Sequence, residues 1–123
     1  MIDIFIEGIP YCQNKVRGRT SGGREWSHTV IEQTKAVVPI QSECKAIINF
    51  FLPSNKYPLD HPYGPDLDNL TKRLFDALNK TVFSKVPGND GAVVELEVSK
   101  KMVPNGKRTG CHIMIREINA PNE

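Results

Sequence analysis

The sequence predicts an α/β (α+β) fold: a single domain of βαβαββ order, with a mixed sheet, a C-terminal β-hairpin and two helices packed on the sheet. Three observations predict it. Four short apolar runs show period-two alternation or continuous burial, two longer runs show helical periodicity, and an Asn-Gly pair separates the last two strand-like runs. At 123 residues the chain is the size of one domain with one core.

The elements follow in order. "IDIFIE" sets Ile2, Ile4 and Ile6 against Asp3 and Glu7, the pattern of a strand with one buried face, although Phe5 interrupts the polar side. After a Gly-rich basic loop, "REWSHTVIEQTKAVV" gathers Trp26, Val30, Thr34, Val37 and Val38 on one arc. Glu25, Glu32 and Lys35 lie opposite, which predicts a helix ending before Pro39. "CKAIINFFL", closed by Pro53, reads as a largely buried strand. The connection "PSNKYPLDHPYGP" has four prolines and offers Tyr57, His61 and Tyr63, rings able either to stack on bases or simply to face solvent.

A second helix starts at Leu67. Leu67, Leu70, Leu74, Phe75, Ala77 and Leu78 fall on one side, and Asp68, Asn69, Lys72, Arg73 and Asp76 on the other. Further on, Val94, Leu96 and Val98 alternate with Glu95, Glu97 and Ser99. After Pro104-Asn105-Gly106, Cys111, Ile113 and Ile115 alternate with His112, Met114 and Arg116, so the two runs are expected to pair as a hairpin.

Composition excludes several classes. Cys12, Cys44 and Cys111 are scattered and show no C-x-x-C spacing, so neither a disulfide framework nor a zinc site is expected. No apolar stretch approaches a membrane span, and the acidic start "MIDIFIEG" is unlike a signal peptide, so a soluble cytoplasmic protein is expected. The net charge of +2 implies nucleic acid only through clustering, and the basic residues are clustered. Lys15, Arg17, Arg19 and Arg24 precede the first acid of their segment, and Lys100, Lys101, Lys107 and Arg108 surround the last turn. Either group also reads as a solvated loop or a charged strand edge.

The most informative stretch is "YGPDLDNLTKRLFDALN". Asp66 at the N-cap and Asp68 in the first turn are explained by capping and by the helix dipole alone. Asp68, Lys72 and Asp76, four apart, are explained as helix-surface ion pairs. Asp90, in "GND", is an ordinary turn residue. The chemical reading is different. A βαβαββ order that set the start of the strand after Asp90 beside the start of the Asp66 helix would converge three carboxylates. Such a set suits Mg²⁺, a hard cation that takes oxygen ligands, activates water and stabilises a leaving oxygen. Lys72 would then face the phosphate and offset charge developing in the transition state.

"PDLDNLTKRLFDALN" followed by "NDGAVVEL" resembles the RusA family of Holliday junction resolvases, marked by D-L-D-N-L-x-K, a following D-A-L and a third Asp before a V-V strand. The resemblance is strongest over residues 65–98 and implies one RusA-like nuclease domain over 1–123. It implies that Asp66, Asp68 and Asp90 bind the metal and catalyse, with Lys72 as the active-site lysine. The cofactor it implies is Mg²⁺, with Mn²⁺ as substitute and no other small-molecule cofactor. The partners are four-way junction DNA and a second copy in a homodimer, since two symmetric nicks need two sites. Such proteins are commonly encoded by phages and prophages. Asn14, Lys15, Arg17, Arg19, Arg24, Lys72, Arg73, Lys107 and Arg108 are the expected DNA contacts. Two departures stand out: Asn89 where the family often has an acid, and "GIPYCQNK" where it usually has Pro-Pro-Ser. The alternative is a catalytically silent junction-binding protein on the same fold. A nucleotide-sugar transferase or a phosphatase fits less well, for want of a nucleotide domain and of a strand leading directly into the Asp pair.

Overall fold

A computed structural model describes residues 1–10, 21–53, 66–104 and 108–118, with backbone alone at 21–24. The elements are β1 (Ile2–Glu7), α1 (Ser21–Thr34), β2 (Cys44–Pro53), α2 (Leu67–Leu78), a one-turn 3₁₀ helix (Asn89–Ala92), β3 (Val93–Val103) and β4 (Gly110–Glu117). The predicted βαβαββ order holds. The four strands form one mixed sheet in the order β1-β4-β2-β3. β2 runs parallel to β3 and antiparallel to β4, and β4 runs antiparallel to β1.

The alternation read in the sequence sorts side chains between the two faces of this sheet. Ile6, Ala46, Ile48, Phe50, Leu52, Cys111, Ile113 and Ile115 are buried, and Trp26 and Val30 of α1 with Leu70, Leu74 and Leu78 of α2 complete the same core. Both helices therefore cover one face, and no described helix covers the other. Thr34 links the two helical regions: its hydroxyl donates to Val30 O at 2.7 Å and meets Thr81 Oγ1 at 2.8 Å. Such pairing satisfies two buried hydroxyls that would otherwise be costly to desolvate. Cys44 and Cys111 are buried free thiols, and burial pushes Cys44 up to about 11 and Cys111 further in the same direction.

Two expectations are corrected. β3 and β4 do not form a hairpin, because β2 lies between them. The crossover through α2 makes β3 a parallel neighbour of β2, and β4 takes the other side of β2, where it also bonds β1. β2, the most apolar strand, is thereby flanked on both sides. The strands end at Val103 and begin at Gly110, farther apart than a two-residue turn allows; Asn105-Gly106 itself lies outside the described residues. The first helix also ends earlier than its apolar arc suggested. It stops at Thr34, leaving Val37 partly buried and Val38 79% exposed.

Candidate active site

α2 starts where the sequence places it. Asp66 is its N-cap in an extended conformation, and Leu70 N–H closes the first turn onto Asp66 O at 2.9 Å. The side chain does not cap. It makes no hydrogen bond to the first-turn backbone, and its Oδ2 accepts from Asn69 Nδ2 at 3.2 Å. The capping explanation for this carboxylate therefore fails. Asp68 is exposed in the same first turn, so two acids sit at the positive end of the helix with Lys72 one turn on. The expected ladder of ion pairs is absent as well: among the described residues Asp68, Lys72 and Asp76 form no pair within 4 Å. All three project from the outer face of α2 while Leu70, Thr71, Leu74, Ala77 and Leu78 are buried behind them.

Asp90 is placed elsewhere. Its N–H donates to Asn79 Oδ1 at 3.0 Å, and its Oδ2 accepts from Asn79 Nδ2 at 3.2 Å. Asn79 is the C-cap of α2, whose 12 residues span about 18 Å. Asp90 thus lies at the C-terminal end of α2, and Asp66 and Asp68 at the N-terminal end. The expected convergence does not occur within one chain, and no group of three His, Cys, Asp or Glu able to hold a metal ion forms among the described residues. The cause is the crossover itself. β2 and β3 run the same way, with Cys44 level with Val93, so α2 must run back between them, and the turn before β3 meets the end of α2 instead of its start.

The turn that holds Asp90 explains one departure from the family pattern. Gly88 and Asn89 both take positive φ, 82° and 52°, a conformation that Gly and Asn tolerate best. Asn89 Nδ2 donates to Phe83 O at 2.9 Å, which an ionised acid at this position cannot do.

Of the expected DNA contacts, Arg73 is partly buried on α2. Arg108 stacks over the Phe5 ring at 4.1 Å and pairs with Glu7 at 3.5 Å on the open sheet face. Asn14, Lys15, Arg17, Arg19, Lys107 and the side chain of Arg24 lie outside the described residues, as do Tyr57, His61 and Tyr63. The sequence reading missed two features. Asn79 is the residue that holds Asp90; only its spacing from the turn hinted at this. The other is a pair of rings, Phe5 and Phe51, 6.1 Å apart, with Lys101 over Phe51 at 5.9 Å. Gly110 lets them approach, since a Cβ there would run into Ile6 O and the Phe5 ring. The interruption at Phe5 in the first strand was the available signal.

A small α+β domain with two exposed carboxylates free of capping bonds and a lysine near a helix N-terminus has the groups a protein needs to handle phosphodiesters. Residues 17–116 match the family Endodeoxyribonuclease RusA, and the chain belongs to that family. No curated protein matches it. No described helix is long and apolar enough to cross a membrane.

Proposed function

We propose that the protein is a structure-selective endodeoxyribonuclease that resolves four-way junctions by hydrolysing one phosphodiester in each of two symmetry-related strands. The observation that carries this reading is the Asp66–Asp68 pair, unused for capping and exposed at the positive end of α2, in a chain of this family. The Mg²⁺ triad implied by the resemblance does not fit one chain, so the roles assigned are those of the protein groups alone. Asp66 and Asp68 orient and deprotonate the attacking water, and Lys72 with the helix N-terminus stabilises charge on the phosphate. Arg73, Arg108 and the basic residues Lys15, Arg17, Arg19, Arg24 and Lys107, with Asn14, hold flanking phosphates. Mg²⁺, with Mn²⁺ as substitute, is the cofactor the family resemblance implies for this reading, although the three acids of one chain do not come together to hold it among the described residues. The protein works as a homodimer in the cytoplasm, in a phage or prophage setting.

One observation favours the second reading, a silent junction binder: Asp90 stands apart from the other two acids within the chain. A labelled synthetic four-way junction, incubated with Mg²⁺ or EDTA beside Asp68→Asn, separates the two. Paired nicks that require both metal and Asp68 support the nuclease, and tight binding without cutting under any metal supports the binder. Binding should also weaken steeply with salt, since each neutralised phosphate releases counterions. A flat response removes the basic residues from the interface.

A further inference from the structure

We infer that the sheet face which no described helix covers carries a second nucleic-acid site, a stacking platform for unpaired bases of single-stranded DNA built from Phe5, Phe51, Lys101 and Arg108. The inference rests on the nuclease reading only for the ligand being DNA.

Strand register builds the platform. On this face Glu7, Gly110, Phe51 and Lys101 form one row across the four strands, and Phe5, His112, Asn49 and Ser99 form the next. Gly110 has no side chain to place between Glu7 and Phe51, so the Phe5 ring leans over the position a Cβ would take and comes within 6.1 Å of the Phe51 ring. Covering a bare glycine needs one ring. Here there are two, both only partly buried, and each has a cation over it: Arg108 at 4.1 Å from the centre of Phe5, and Lys101 at 5.9 Å from that of Phe51.

The charge on Lys101 is fixed without being cancelled. Three rows away on the same face, Lys45 reaches a carboxylate, Glu95, at 3.9 Å. Lys101 instead donates to Asn49 Oδ1 at 3.3 Å and to Ser99 Oγ at 3.5 Å, both neutral, while Ser99 donates to Asn49. Among the described residues no carboxylate oxygen lies within 4 Å of its ammonium. Arg108 does meet Glu7, at 3.5 Å, but the two side chains are 60% and 62% exposed. Such a pair contributes little, and a phosphate can take the carboxylate's place.

Unpaired bases are the occupant this chemistry selects. Aromatic side chains take the flat faces of bases, which a duplex keeps stacked on one another, while cations beside the rings meet the phosphates between them. A duplex would use the cations alone. An acidic peptide would also satisfy the cations but would give the rings no flat partner. The sheet stands between these rings and α2, so the strand held here is not the one presented to Asp66 and Asp68 of the same chain.

The test is the binding of a fluorescent oligothymidylate to the full chain, read by anisotropy in EDTA, with an abasic strand of equal length, a blunt duplex and polyglutamate as competitors. Phe5→Leu and Phe51→Leu should each weaken binding by about tenfold, the scale of one base stacked on one ring. Lys101→Gln changes an exposed side chain and so keeps the fold even if a phenylalanine variant melts early; it should lower the slope of log affinity against log salt by about 0.7. The abasic strand and the duplex should compete poorly. Equal competition by the abasic strand, or affinity unchanged in all three variants, overturns the inference. Polyglutamate that binds where oligothymidylate does not would assign the face to an acidic protein partner and overturn it too. A protein that binds the single strand through these rings yet never nicks a junction sustains the inference and removes the nuclease reading. One that nicks junctions but binds the single strand equally well without the rings overturns the inference alone.

Discussion

At the N-terminal end of α2, Asp66 holds the N-cap position yet leaves the first-turn amides alone; at the C-terminal end, Asp90 is locked by two hydrogen bonds to Asn79. The residue type is the same and the local chemistry is opposite. One acid is exposed and its carboxylate remains available to a ligand. The other is partly buried and fixed in direction, its backbone and side chain both engaged. The difference teaches that a carboxylate's role depends on what already occupies its lone pairs. An N-cap Asp looks structural until its cap bond proves absent, and a turn Asp looks incidental until its partner shows how firmly it is aimed.

Four substitutions would break or sharpen this contrast. The largest effect is expected at the available end. Asp68→Asn should lower junction cleavage by about a hundredfold or more, the scale of losing a group that acts in the transition state. The thermal midpoint should hardly move, because Asp68 is exposed. A cleavage assay beside a melting curve checks both. Next is the apolar groove between the ends, lined by Leu67, Phe75, Leu96 and Val98: if the proposed homodimer packs there, Leu96→Lys should shift it toward monomer by about tenfold or more in Kd, read by sedimentation velocity. An unchanged distribution would place the proposed dimer contact elsewhere.

The locked end should show up in stability. Asn79→Ala removes both bonds to Asp90, and urea denaturation should register a loss of about 1–3 kcal/mol, with slower cleavage as Asp90 loses its aim. The smallest effect on stability is expected at Asp66. Removing a working N-cap costs about 1 kcal/mol, but Asp66→Ala should cost less than about 0.5 kcal/mol because no cap bond exists to lose. A loss near the full value would mean that the cap bond forms in solution, and the contrast between the two ends would weaken.

Much of the fold was legible in local patterns. The start of α2 at Leu67, the buried alternation of Ala46, Ile48, Phe50 and Leu52, and the inward Cys111, Ile113 and Ile115 all follow from periodicity. The hairpin was misread because an Asn-Gly pair signals a turn but not which strands will lie side by side. Val38 was placed on a buried arc because periodicity continues past Thr34 although the helix does not.

By itself the sequence determined the element order, the faces buried, the family motif and the identity of the acids, because each depends on residues a few positions apart. Only the tertiary structure decided that β2 separates β3 from β4 and that Asp90 lies a helix length from Asp66. A parallel crossover forces the helix to run back along its strands, so residues close in sequence to opposite ends of α2 stay a helix length apart.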